Sequence, residues 1–200
     1  IVVSLSVLLA CVIGTAIGVI SAYSGGFTDN IAMRLMDVFF AFPAILLALL
    51  VVTALGSGRR TTIFAIALVY TPIFSRVARA PVLALKQTEF VEAANSIGMR
   101  RWRILLRHIL PNAVAPIIVQ ISLALSWALL TEAGLSFLGL GTPPPEPSWG
   151  QMLAESTGIA EIAPWLLVFP GAAIMLSVLG FNLLGDSLRD ALDPRLRGIR

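Results

Sequence analysis

Three of the residue types that carry most protein chemistry occur once each in this chain: Cys11, Lys86 and His108. One cysteine and one histidine make neither a disulfide nor a Cys/His metal cluster within the chain. A nucleophile at membrane depth needs a base beside it, and His108 sits among Arg100, Arg101, Arg103 and Arg107 instead. A phosphate-binding loop needs Gly directly before its Lys, whereas Lys86 follows Leu85. The chain is therefore read as having no catalytic residues, no metal ligands and no bound cofactor. The suggestive spacing lies elsewhere: Glu92-Ala93-Ala94, three residues, Gly98, nine residues, His108, one residue, then Leu110-Pro111. Acidic, small and apolar residues on one short helix suit docking into a protein groove rather than bond-making.

The elements that must position this segment follow from composition. The chain has 200 residues, 58% apolar and 12% charged, with a mean hydropathy of +0.91. A soluble domain carries about 25% charged residues, and a disordered chain is poor in apolar ones. What is left is an all-α, polytopic membrane bundle in one domain, residues 1–200. The net charge of +3 is read as marking a cytoplasmic membrane face rather than nucleic-acid binding.

Five uncharged or nearly uncharged stretches approach the length of about 20 residues that crosses a bilayer: 1–22, 38–55, 61–75, 113–130 and 163–184. Their continuous apolarity argues against a membrane barrel, which alternates. Seven basic residues fall between Arg76 and His108, counting the histidine apart, and Arg189, Arg195, Arg197 and Arg200 close the chain. Between Thr131 and Ile162 the only charges are Glu132, Glu146, Glu155 and Glu161. The excess of Lys and Arg puts 76–112 and the tail in the cytoplasm and 131–162 outside. Residues 23–37 are then inside, and the Arg59-Arg60 pair is a minor violation.

The loop 76–112 is too long for a connector, which usually takes about 2–8 residues. Thr88 to Gly98 reads as a short helix, with Thr88 as N-cap, Glu89 in the first turn and Gly98 as a left-handed stop. Phe90, Ala94 and Ile97 share one face of it. A basic segment, Arg100 to His108, follows with Trp102 and Leu105 interspersed. Two readings are open on physics alone: a helix lying on anionic lipid, or a helix displayed to a partner protein. Acids beside anionic lipid favour the second.

The Glu92-to-Pro111 pattern resembles the EAA-x3-G-x9-I-x-LP signature of permease subunits of bacterial ATP-binding-cassette importers. His108 stands where the general pattern has Ile, and His108-Ile109-Leu110-Pro111-Asn112 is similar to the dipeptide and oligopeptide branch. Asp37 with Phe42-Pro43, the stretch Glu132 to Gly141, Pro147-Ser148-Trp149-Gly150, Asn182 to Asp186 and Leu192-Asp193-Pro194-Arg195 resemble the same branch. The resemblance covers the whole chain. It implies a type I importer fold in the bacterial inner membrane, with the C-terminus cytoplasmic. It implies a second permease, in a heterodimer, two ATPase subunits carrying ATP and Mg, an extracytoplasmic solute-binding protein, and contact with membrane lipid. The ATPases would be contacted by Glu92, Ala93, Ala94, Gly98, Leu110 and Pro111, supported by Phe90, Ile97, Arg101 and His108. Family members usually have six helices, so an amino-terminal one is expected to be missing here. The expected cargo is di- or oligopeptide; nickel, glutathione or another small solute is the alternative. A stand-alone ion-driven carrier is the remote one, since such carriers place charges in mid-membrane.

Among the remaining residues, Glu132 and Asn182 are candidates for the translocation path, Asn182 as an interhelical hydrogen-bonding group. Pro43, Pro72, Pro116 and Pro170 are either tolerated membrane prolines or hinges. Gly14 and Gly18 form a GxxxG pair suited to close helix contact.

Overall fold

A computed structural model describes residues 1–192, and these form nine α-helices. The tail arginines Arg195, Arg197 and Arg200, and the Leu192-Asp193-Pro194-Arg195 motif beyond its first residue, lie outside the described residues. Helices α1 (Val2–Ser24), α4 (Arg59–Lys86) and α9 (Trp165–Leu192) are each long and apolar enough to cross a membrane, as is the run Trp102–Phe137. That run consists of α6 (Arg101–Ile104), a π turn (Leu105–Ile109) and α7 (Leu110–Phe137). Together they make a multi-pass membrane protein.

The fifth expected span differs from a straight helix. Residues 38–55 are divided between α2 (Gly26–Phe40) and α3 (Ala44–Leu55), which meet at 90°. Pro43 is the cause: it has no N–H for a continuing helix and biases the residue before it toward extended backbone. At Pro43 itself ψ is 132°, outside the helical range. Alone, α3 rises only about 18 Å, short of the hydrocarbon core. Of the four prolines read as either tolerated or hinges, Pro43 marks a break, whereas Pro72, Pro116 and Pro170 sit inside continuous helices, as does Pro81.

The expected loop 76–112 is shorter than its charges suggest. Helix α4 carries on to Lys86, so Arg76 and Arg79 belong to its last turns. Arginine is a good helix former, and α2 supplies carboxylates to both: Arg79 forms a two-pronged pair with Asp29 (2.8 and 2.6 Å), and Arg76 pairs with Asp37 while stacking on the Phe40 ring. Helix α5 (Glu89–Ser96) and the start of α6 are what remain between the long helices. At the other end, α8 (Trp149–Ser156) and a short 3₁₀ turn fold the stretch between α7 and α9.

Helix α1 packs chiefly on α4. A β-carbon on Gly14 would collide with the Thr71 carbonyl, and one on Gly18 with the Ser75 carbonyl. The GxxxG pair thus brings the two backbones into direct contact, as small residues do in membrane interfaces. The core, including Val7, Ile66, Phe74 and Leu135, runs between α1, α4 and α7. Two contacts define its ends. Lys86 Nζ donates to the Tyr23 carbonyl at 2.8 Å where α1 and α4 finish, while Arg59 meets Glu146 where α4 starts and α7 has finished.

Candidate functional site

Two places bring the sequence-selected residues together, one at each end of the bundle.

At the basic end, α5 begins as the carbonyl of Thr88 accepts the N–H groups of Val91 (3.0 Å) and Glu92 (3.2 Å). The Thr88 hydroxyl does not cap those donors; it turns back to the Leu85 carbonyl at 2.6 Å. The helix stops where Gly98 takes φ +75° and Met99 N–H returns to the Ala94 carbonyl at 3.1 Å. This is the left-handed stop that a residue without a β-carbon adopts freely.

The faces of α5 differ from the expected grouping of Phe90, Ala94 and Ile97. Val91 and Ala94 turn inward, 1% and 8% exposed, into the core. Phe90, Ala93 and Ile97 turn outward, with Ile97 78% exposed. Glu89 and Glu92 flank that apolar stripe and are exposed. The physical reason is that Val91, branched and apolar, is the better filler of the gap beneath α5, and three residues later Ala94 follows it down.

The second half of the pattern lies on the π turn. Leu110 N–H donates to the Leu105 carbonyl five residues back. The widened turn precedes Pro111, whose missing N–H and bulky ring disrupt ordinary α-helical bonding. Pro111 therefore stands inside one continuous helical run rather than at the entry of a new span. The His108 ring stands 6.4 Å from that of Phe90, tilted by 53°. Trp102, Arg103, Leu106 and Arg107 are exposed beside it, and Arg101 opens α6. The motif residues Glu92 and Ala93 are exposed, Leu110 is half-buried, and Gly98 has open space on its side-chain face.

At the opposite end, Glu132 is 8% exposed on the last turns of α7. Its Oε1 accepts the hydroxyls of Ser136 (2.8 Å) and Ser148 (3.0 Å). Ser148 reaches it because α8 seats tightly on α7: a β-carbon on Gly150 would strike the Ala133 carbonyl. Glu132 and Ser148 border a cleft of about 580 Å³, which Ile1, Val2, Val3, Arg59, Thr142, Glu146 and Met152 also line. Asn182 is not part of it. Midway along the bundle, its Oδ1 accepts the Ser126 hydroxyl at 3.0 Å, joining α7 to α9. The interhelical role expected for it is the one it has. Sequence reasoning passed over Thr142, noted Arg59 only as a departure from the charge rule, and met Ser148 only within the Pro147-to-Gly150 stretch. Among the described residues, no group of three or more His, Cys, Asp or Glu could hold a metal ion.

Residues 14–198 match the family described as binding-protein-dependent transport system inner membrane component. The glutathione transport system permease protein GsiD of Pectobacterium atrosepticum is 50% identical over 96% of this chain and 64% of its own length. The dipeptide transport system permease protein DppC of Alkalihalophilus pseudofirmus is 48% identical over 94% of this chain and 62% of its own length. The chain thus spans somewhat under two thirds of these relatives. Among solved structures, the inward-facing MetNI methionine ABC transporter superposes with a TM-score of 0.77 at 18% identity, covering 96% of this chain and 91% of that one. That likeness is one of fold.

Proposed function

The chain belongs to the family of binding-protein-dependent transport system inner membrane components, and from that premise we propose that it is one permease subunit of an ATP-driven importer. It forms half of a translocation pore with a second permease. Two ATPase subunits, which carry ATP and Mg, dock beneath it, and a solute-binding protein delivers cargo from outside. The C-terminus and α5 face the cytoplasm.

The observation that carries the coupling role is the division of α5 into two faces. Val91 and Ala94 anchor it to the bundle, leaving Phe90, Ala93 and Ile97 exposed between Glu89 and Glu92. An exposed apolar stripe of i, i+3, i+7 spacing is a helix-in-groove ligand. Glu92 is placed for a basic or backbone donor of the ATPase, and Ala93 allows close approach. Gly98, Leu110 and Pro111 fix the turn and the helical run behind it. Ile97 and Phe90 supply the apolar contact, and His108 supports the Phe90 ring. Arg101, which opens α6, is a further proposed ATPase contact. Groove movement on ATP binding then shifts α5 as a body with α4 and α7.

Di- or oligopeptide is the proposed cargo, in line with the dipeptide permease among the relatives. Glutathione is the second reading, favoured by the 50% identity to a glutathione permease. Glu132 and Asn182 are proposed to border the path. The test is reconstitution in proteoliposomes with the partner permease, ATPases and binding protein. Uptake of labelled dipeptide should require all of them, and the permease purified alone should not hydrolyse ATP. Hydrolysis by the isolated chain, or uptake without the ATPases, would overturn the reading.

A further inference from the structure

The run Trp102–Phe137 holds 36 residues, about 54 Å at 1.5 Å per residue, so it outreaches a hydrocarbon core of about 30 Å. Two rows of side chains at i, i+4 spacing, which makes helix neighbours, descend from its α6 end. The first row is Trp102, Leu106, Leu110 and Val114. Trp102 is 61% exposed, Leu106 45% and Val114 37%, and Leu110 is half-buried between them. The second row starts with Arg103 and Arg107 and continues as Pro111 and Ala115. Both arginines are exposed, and neither is in an ion pair among the described residues. The inner side of the same turns, Ile104, Leu105 and Ile109, is 0–3% exposed in the core. The rows differ in how far they run. The apolar row continues into the membrane-spanning length, while the cations stop at Arg107, one turn before Pro111. A helix passing from headgroups into hydrocarbon has this form: Trp and Arg on the outer turns, apolar side chains alone further in.

We propose that Trp102, Arg103, Leu106 and Arg107 form a docking surface for anionic phospholipid of the membrane that the chain spans. The arginines pair with headgroup phosphates in charge-assisted hydrogen bonds. Trp102 lies at headgroup level, where its amphipathic ring is favoured, and Leu106 begins the acyl-chain contact. Zwitterionic lipid offers phosphate without net charge, whereas anionic lipid adds a negative surface potential that attracts each arginine. The adjoining α5 has the opposite character, since its exposed Glu89 and Glu92 are repelled by such a surface. Charge thus divides two consecutive segments, the acidic helix for a protein groove and the basic run for lipid. An acidic protein surface would also satisfy the arginines, but it would not account for an apolar row continuous with the span. The inference needs a chain that spans a membrane and does not need the importer reading.

The experiment uses the full-length permease assembled with its partners in nanodiscs, carrying Cys11→Ser and Leu106→Cys labelled with a bimane fluorophore. Brominated phosphatidylglycerol or brominated phosphatidylcholine, at equal mole fraction in a phosphatidylcholine background, serves as contact quencher. The phosphatidylglycerol should quench about two-fold more strongly, because two arginines enrich it locally. Arg103→Gln with Arg107→Gln should make the two lipids equal, and Arg103→Lys with Arg107→Lys should keep most of the preference. A label on Ile97→Cys in α5 should be quenched by neither lipid. Equal quenching by both lipids at Leu106→Cys would overturn the anionic preference, and no quenching by either would overturn the surface itself. Quenching present without the ATPases and lost on adding them would give the face to those subunits and overturn the proposal. Quenching at Ile97→Cys as strong as at Leu106→Cys would overturn the division between the two segments.

Discussion

Ala93 and Ala94 are neighbours in the chain, yet they face opposite ways: Ala94 is 8% exposed in the core, while Ala93 looks outward from α5. Successive helical residues are turned by about 100°, a consequence of 3.6 residues per turn. The relationship separates two roles that adjacent alanines in one motif would otherwise blur. Ala94 ties α5 to the bundle, and Ala93 belongs to the surface offered to a partner.

Aspartate at each position should therefore fail in a different way. Ala94→Asp places a charge inside the subunit, with an expected cost of about 3 kcal/mol or more for an unpaired buried charge. Its thermal unfolding in detergent should fall sharply even without partners. Ala93→Asp should leave the isolated permease within about 0.5 kcal/mol of the parent, as surface substitutions do. It should still lose most co-purifying ATPase. Equal stability of the two variants would reverse the assignment of the faces.

The α5 faces also mark how far the sequence could be read. A helix from Thr88 to a glycine stop was legible, because caps and Gly98 act locally. Which apolar residues turn inward was not, because Phe90, Val91, Ala93, Ala94 and Ile97 offer two overlapping stripes and only the surrounding bundle chooses. The same limit hid α2. Its Phe27, Ile31, Leu35 and Val38 recur at helical spacing and are exposed, but Asp29, Arg34 and Asp37 interrupt the apolar run. The partners of the two aspartates stand on α4, 50 and 39 residues away. The outer cleft was illegible for a like reason: Glu132 on α7, Thr142 and Ser148 in the loop before α8, and Arg59 on α4 meet only in the folded bundle. By contrast, the long apolar blocks and the GxxxG pair carry their meaning in short range.

That pair yields a packing prediction. Gly14 and Gly18 meet backbone carbonyls of Thr71 and Ser75, which cannot rotate aside. Gly18→Ala should cost about 1–3 kcal/mol, the usual range for overpacking, and Gly14→Ala a similar amount. Gly171→Ala on α9, where a β-carbon meets no atom within 4 Å, should be neutral or stabilising, because Ala is the better helix former. Thermal unfolding of the three variants in one detergent provides the comparison. A destabilised Gly171 variant beside unaffected Gly14 and Gly18 variants would contradict the packing.

Orientation can be checked with thiols in a Cys11→Ser background. Ser96 is exposed on α5 and suits one reporter. On the other side Ser156 is a poor choice, since it is 7% exposed and bonded to the Met152 carbonyl; Glu161 is exposed. With an impermeant reagent on intact cells, Glu161→Cys should label at once and Ser96→Cys only after lysis. The reverse pattern would invert the charge-based topology.

The last prediction concerns how α2 is held against α4. The Asp29–Arg79 and Asp37–Arg76 pairs look alike in sequence but differ in burial. The side chains of Asp29 and Arg79 are 10% and 33% exposed, whereas those of Asp37 and Arg76 are 58% and 49% exposed. Asp29 also receives both prongs of its guanidinium, the arrangement that gives arginine its geometric hold on a carboxylate. Removing one partner of a buried pair strands the other charge and costs about 3–5 kcal/mol; an exposed pair contributes about 0–1 kcal/mol. Because Arg79 retains some solvent contact, Asp29→Asn should fall near the low end, about 3 kcal/mol. Asp37→Asn should cost under about 1 kcal/mol. Raising salt should erase the smaller effect and leave most of the larger, since screening acts chiefly on exposed charges. The double variant Asp29→Asn with Arg79→Met should recover part of the loss, as no stranded guanidinium remains. Unfolding curves at low and high salt decide it: equal losses for the two single variants, both abolished by salt, would mean that Asp29–Arg79 acts as an exposed, screened pair like Asp37–Arg76 and that its burial adds nothing.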